Sequence, residues 1–219
     1  MSKQVAVVLS GCGFRDGSEI YETTLTLLRL DQLGIVYRCF APDLAQPQVI
    51  DHVSGEARED ETRNMLVESA RLARGEIEPL EALDVGGFDG VILPGGQGVA
   101  KNLSNFAEAG ADMTVLPLLR DKVVAFFEAG KPIGLMCYSS LLAPRLLDVT
   151  IPVTVGHHAQ IAGAISSMGG LHKSCRADEV VVDREHRVVT TPAFMTAKGL
   201  AEAATGIFKL VDKLDEMMK

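Results

Sequence analysis

Four cysteines, five histidines and the adjacent glycines at 95–96 supply the residue types on which chemistry could be built. Cys137 lies in Gly134-Leu135-Met136-Cys137-Tyr138-Ser139-Ser140, a short apolar strand that turns at once into a helical pattern carried by Leu141, Leu142 and Leu146. A cysteine at a strand-to-helix junction meets free backbone N–H groups and the positive end of a helix dipole, which favour thiolate and lower the thiol pKa. The arrangement follows the logic of a nucleophile elbow, where the residue after the nucleophile supplies an oxyanion N–H. The elbow pattern asks for small residues two before and two after, and Leu135 and Ser139 meet it only in part. A buried, inert core cysteine is the competing reading.

Glu19 is the acid to weigh beside it. Asp16-Gly17-Ser18-Glu19 opens a helix directly above the first strand, and Asp16 with Glu19 resembles a capping box. An acid there offsets the helix dipole and need do nothing more. Facing a thiolate, the same carboxyl could exchange a proton with bound substrate. Leu93-Pro94-Gly95-Gly96-Gln97-Gly98 follows another strand, and adjacent glycines let backbone N–H groups approach a ligand as an oxyanion hole requires. His157 and His158 stand at the end of a further strand pattern, where one could serve Cys137 as a base and the other solvate a loop. Arg63 and Asn64 read as the polar start of a helix.

Positioning these groups takes alternating short strands and longer helices. Strand patterns fall at residues 5–9, 35–40, 90–93 and 133–136, with helical patterns at 19–33, 60–74 and 116–128 between them. Runs apolar on both faces and joined through helices predict a parallel sheet covered on each side. Residues 180–182 and 188–190 read as a hairpin, and 196–219 as a closing amphipathic helix interrupted at Gly206. The expected fold class is therefore α/β: a three-layer sandwich, mostly parallel, with helices on both faces and a late β-hairpin. Residues 1–219 form a single domain. Ligands of such sheets bind beyond the carboxyl ends of the strands, so the loops at 10–18, 41–60, 94–104, 137–140 and 155–160 hold the candidates.

Composition removes several alternatives. Twenty-one Lys and Arg against 29 Asp and Glu give a net charge of −8, which opposes a phosphate-backbone grip, so no nucleic-acid partner is expected. No apolar run approaches the ~18 residues of a membrane span, and no membrane partner is expected. Scattered cysteines without a Cys-x-x-Cys pair argue against disulfides and a structural metal, and for a cytoplasmic location. The glycines at 11, 13 and 17 miss the dinucleotide fingerprint by one residue.

Taken together, the motifs resemble the PfpI/ThiJ superfamily, flavodoxin-like relatives of class I glutamine amidotransferases. The carriers are Gly17-Ser18-Glu19-Ile20, Leu93-Pro94-Gly95-Gly96 followed by Lys101-Asn102-Leu103, and the elbow at Cys137. Within it the chain is similar to the ElbB branch (enhancing lycopene biosynthesis, or sigma cross-reacting, proteins). That likeness rests on Leu9-Ser10-Gly11-Cys12-Gly13, Ala41-Pro42-Asp43, Glu61-Thr62-Arg63-Asn64, Lys101 to Phe106, Met136-Cys137 and Thr191-Pro192-Ala193. The resemblance implies a cofactor-free cytoplasmic homodimer, without a metal, whose Cys137 is the nucleophile and Glu19 its acid–base neighbour. Gly96, beside Gly95, and Tyr138 would give backbone N–H groups to the oxyanion. Tyr138 stands where the superfamily commonly has His, which weakens a protease-like dyad. The late segment lacks the His-x-Glu of a glutaminase. The implied activity is a glutathione-independent glyoxalase acting on a small carbonyl substrate such as glyoxal, with deglycation as a related outcome. The alternative is a redox-sensing or ligand-binding protein without catalysis.

Overall fold

The computed structural model describes residues 2–218. Its main sheet has seven strands in the order β3-β2-β1-β4-β5-β9-β8. These are β1 (Gln4–Val8), β2 (Val36–Ala41), β3 (Ile77–Pro79), β4 (Gly90–Leu93), β5 (Ile133–Met136), β8 (Val181–Asp183) and β9 (Val188–Thr191). All pairs are parallel except β8 with β9, whose register Val182↔Val189 closes the expected hairpin. A small parallel pair, β6 (Pro152–Val153) and β7 (Leu171–His172), stands apart. The mostly parallel sheet with helices around it is the predicted fold class.

Helices α1 (Ile20–Gln32) and α2 (Met65–Leu72) follow the first two strands. The short α3 (Gly98–Lys101) and α4 (Phe106–Ala109) then lead to α5 (Pro117–Glu128). After them come α6 (Ala143–Leu146), α7 (Ala159–Ser167) and α8 (Leu200–Met217). Among the described residues no helix is long and apolar enough to cross a membrane. Strands β1, β4, β5 and β9 bury nearly every side chain, because each has neighbours in the sheet and helical layers above and below. Two apolar clusters result. One holds Phe40, Leu93, Leu119, Phe126 and Leu135; the other holds Val7, Ile92, Met136, Ile207 and Leu210.

Three expectations need correction. The helix expected over 60–74 begins only at Met65, because Asn64 adopts an extended conformation and its side chain accepts the N–H of Val67 at 3.0 Å. The closing helix runs unbroken through Gly206, where the missing side chain lets the helix press against the carbonyl of Ala177. Its expected start at 196 falls instead at Leu200, and the expected end at Lys219 lies outside the described residues. Finally, the polypeptide after Cys137 is a six-residue 3-10 turn, Cys137–Leu142, before the short α6.

Candidate active site

Cys137 directly follows β5 with φ 54°, the left-handed backbone that an elbow imposes on its nucleophile. Ser139 holds that turn. Its Oγ accepts the Met136 N–H at 2.8 Å and lies 2.6 Å from the carbonyl of Leu93 on the neighbouring strand. The thiol is 5% exposed. Gly95 lies against it so closely that a Cβ there would fall 2.5 Å from the Cys137 Cβ. Gly96, at φ 102°, could not carry a side chain either, since its Cβ would strike the carbonyl of Gly17. These two glycines bring the β4 loop, the β1 loop and the elbow together.

The acid that reaches the thiol is Glu22, one turn beyond the residue singled out in the sequence. Glu22 is fully buried. Its Oε2 accepts the Gly95 N–H at 2.8 Å and its Oε1 accepts the Phe194 N–H at 3.1 Å, and the carboxyl lies beside Cys137, since a Cβ on Gly95 would meet both Glu22 Oε2 and the Cys137 Cβ. Burial, and then the charge of Glu19, push its pKa up to about 8 against the pull of those two N–H donors. Burial also pushes the Cys137 thiol well above its ordinary value, with Glu22 adding to it and the N–H groups of Gly96 and Tyr138 pulling it down. The lowered thiol expected from the helix terminus is therefore not what the surroundings produce. A short 3-10 turn gives little dipole, and complete desolvation outweighs it. Burial thus pushes both members of the pair toward their neutral forms, a carboxylic acid and a thiol.

Glu19 is the N-cap of α1, its Oε2 accepting the Glu22 N–H at 2.7 Å. Asp16 takes no part in that cap. It is buried and ties in residues 41–60 through a 2.7 Å bond from the Ile50 N–H to Oδ2. Gly96 and Tyr138 flank Cys137, and their N–H groups act to lower its thiol. His157 and His158 do not join them. His157 is exposed and lines a separate surface pocket with Cys175 and Lys198. His158 caps α7 by accepting the Ile161 N–H at 3.4 Å on Nδ1. Among the described residues, none of the groups that shift the Cys137 thiol is a histidine. Among the described residues no group of three or more His, Cys, Asp or Glu is placed to hold a metal.

Reading from the sequence missed Glu22, Ser139 and Phe194. Phe194 follows Ala193, buried at φ 45°, so a strained turn aims its N–H at the acid. The signal for Glu22 was its place one turn after a helix-start acid, on the same face as Thr26, whose hydroxyl lies 3.8 Å from the Met136 sulfur. Lys101 and Asn102 are loop ties. Asn102 Nδ2 donates to the carbonyls of Ser10 and Asp16, and Lys101 Nζ to that of Arg15.

No family model matches the chain. It is 44% identical over 223 residues to the human glutamine amidotransferase-like class 1 domain-containing protein 3, mitochondrial, covering 98% of this chain and 83% of that protein. To the rat ES1 protein homolog, mitochondrial, it is 43% identical, covering 98% and 84%. A crystal structure of an isoprenoid biosynthesis protein with amidotransferase-like domain from Ehrlichia chaffeensis superposes with TM-score 0.93 at 39% identity over the whole of both chains. Drosophila melanogaster DJ-1beta superposes over 99% of this chain and 96% of its own with TM-score 0.55 at 17% identity, a likeness of fold alone.

Proposed function

The chain belongs to the family of the ES1 and glutamine amidotransferase-like class 1 domain-containing proteins, and from that premise we propose that it is a cysteine-dependent glyoxalase. One observation carries the reading: the fully buried Glu22 carboxyl and Cys137, on a positive-φ elbow, lie side by side against Gly95. Addition of the Cys137 S–H across one carbonyl of glyoxal gives a hemithioacetal, its oxygen taking a proton relayed by Glu22 while Gly96 and Tyr138 donate to it. Glu22 then gives its proton to the second oxygen and takes the one on the first carbon, and in the resulting enediol it gives that proton to the second carbon while taking the hydroxyl proton of the first, leaving a hydroxyacetyl thioester. Water releases glycolate and restores the thiol. One carbon is oxidised as the other is reduced, so the balance needs no external oxidant and no cofactor. The acid–base role expected of Glu19 passes to Glu22 because it is the Glu22 carboxyl that lies beside Cys137. Where a glutaminase would carry His-x-Glu, Phe194 offers only its N–H to Glu22.

Isotope-labelled glyoxal followed by NMR tests this. Wild-type protein should yield glycolate and the Cys137→Ala variant none; wild-type protein that leaves glyoxal unchanged overturns the reading. The raised thiol favours a second reading, ligand binding or slow redox sensing, in which protonated Glu22 donates to an oxidised sulfur. Deglycation would use the same attack on a hemithioacetal already formed on another thiol. Four free thiols suit a reducing compartment, for which the cytoplasm is our proposal and cell fractionation the check. A homodimer is proposed on family likeness, and a monomer mass by light scattering at micromolar protein would refute it.

A further inference from the structure

Three hydrogen bonds close a ring through Glu19, Gly95 and Glu22. The Glu19 N–H donates to the Gly95 carbonyl at 3.0 Å, the Gly95 N–H to Glu22 Oε2 at 2.8 Å, and the Glu22 N–H to Glu19 Oε2 at 2.7 Å. We propose that Glu19 is a positioning residue whose charged carboxylate, locked in this ring, keeps Glu22 in its protonated form beside Cys137. The inference rests on the activity proposed above, since it concerns the same acid.

The ring sets a distance as well as a geometry. A carboxylate that caps the backbone of Glu22 stays within one helical turn of the Glu22 carboxyl and cannot swing away without giving up its donors. Ionising Glu22 would then place a second, fully buried negative charge within one helical turn of the first, and like charges so placed hold one proton on. Burial pushes Glu19 above its ordinary 4.5, and the N–H groups of Glu22, Tyr21 and Ile20 oppose that rise in favour of its charged form. Glu22, with no exposure and only two N–H donors, is the member of the pair that keeps the proton. From the other elements packed on Glu22 the ionisable groups are Cys137 of the elbow and, through it, Tyr138. Neither carries a positive charge that could cancel the effect.

Capping alone is separable from this role. Ser and Asp are both good N-caps, but only Asp keeps the charge. Carboxyl-carbon NMR of glutamate-labelled protein, with the Glu22 signal assigned by its loss in Glu22→Gln, reads the proton directly and does not depend on turnover. The Glu19→Ser variant should lower the Glu22 midpoint by about one pH unit relative to Glu19→Asp and wild type, the low end of what one neighbouring charge does. Equal midpoints in the two variants would reduce Glu19 to a cap. Should Glu19→Ser not fold, Glu19→Asn keeps a cap without the charge. Wild-type protein gives a further check: the Glu19 signal must titrate below that of Glu22, and the reverse order overturns the proposal. A protein inactive on glyoxal that still shows the shifted midpoint would overturn the activity and leave this inference standing.

Discussion

The Phe194 N–H donates to Glu22 Oε1 across 3.1 Å, joining residues 172 positions apart in the chain. With the Gly95 N–H on Oε2, both carboxyl oxygens of Glu22 face backbone donors. A carboxyl satisfies that arrangement, and an amide cannot, because its nitrogen must point at one of the two N–H groups. Glu22→Gln should therefore cost about 1–3 kcal/mol of stability for the donor left unpaired. Glycolate formation should fall ~10²-fold or more with the loss of the proton carrier. Calorimetry beside a turnover assay checks both, and a variant with normal stability and normal turnover would remove Glu22 from the mechanism.

Stability should depend on pH with a definite sign. The Glu22 carboxyl ionises near 4.5 when the chain is unfolded and is pushed up to about 8 in the fold. Between those values the folded state binds the extra proton, so stability is full below the lower one and falls as pH rises through the upper. Cys137, pushed up in the same sense, extends the loss above its ordinary value of 9.0. Denaturant midpoints from pH 5 to 9 should decline steadily in wild type and less steeply in Glu22→Gln. Parallel slopes would show that Glu22 is ionised in the fold.

Much of this arrangement was legible in the chain. The strand-to-helix switch at Cys137 and the glycine pair at 95–96 follow from local periodicity and from where close backbone approach is needed. The choice between Glu19 and Glu22 does not. Both lie at the start of one helix, and only its tilt over the sheet decides which enters the core, a tertiary fact set by packing of α1 against α8. The thiol's raised pKa was hidden for a related reason: dipole and N–H donors can be read from sequence, but complete burial cannot. Phe194 reaches the site from the far end of the chain through the turn at Ala193, and no local pattern announces that contact.

Thiol labelling should follow burial more than motif. Cys12 and Cys175 are partly exposed, whereas burial pushes Cys39 up to about 12 and Cys137 well above its ordinary value. At pH 7 iodoacetamide should modify Cys12 and Cys175 first and Cys39 last. The Cys137 rate should stay low at pH 7 and still be rising at pH 9 without levelling, because burial and then the charge of Glu22 hold its thiol well above 9.0. Peptide mass mapping across pH 6–9 measures this. Fast, pH-independent modification of Cys137 at pH 6 would show a stabilised thiolate and contradict the acid–thiol pair.

Ser139 is the residue through which the elbow can be loosened without touching the reacting groups. Its hydroxyl sits between the Met136 N–H at 2.8 Å and the Leu93 carbonyl at 2.6 Å, in a position with no exposure. Ser139→Ala removes both partners at once and leaves two buried backbone groups unpaired, at a cost of about 1–3 kcal/mol each if no water enters. The left-handed conformation of Cys137 persists only while its surroundings over-determine it, so the same change should let the thiol relax away from Glu22 and from the Gly96 and Tyr138 donors. The measurable consequence is a fall in kcat for glyoxal larger than any change in KM, together with an earlier onset of Cys137 alkylation on raising the pH, because a thiol that leaves the buried acid titrates nearer its ordinary value. A Ser139→Ala protein that melts lower but keeps the wild-type kcat and the wild-type alkylation profile would confine Ser139 to stability and show that the elbow is held by its other contacts.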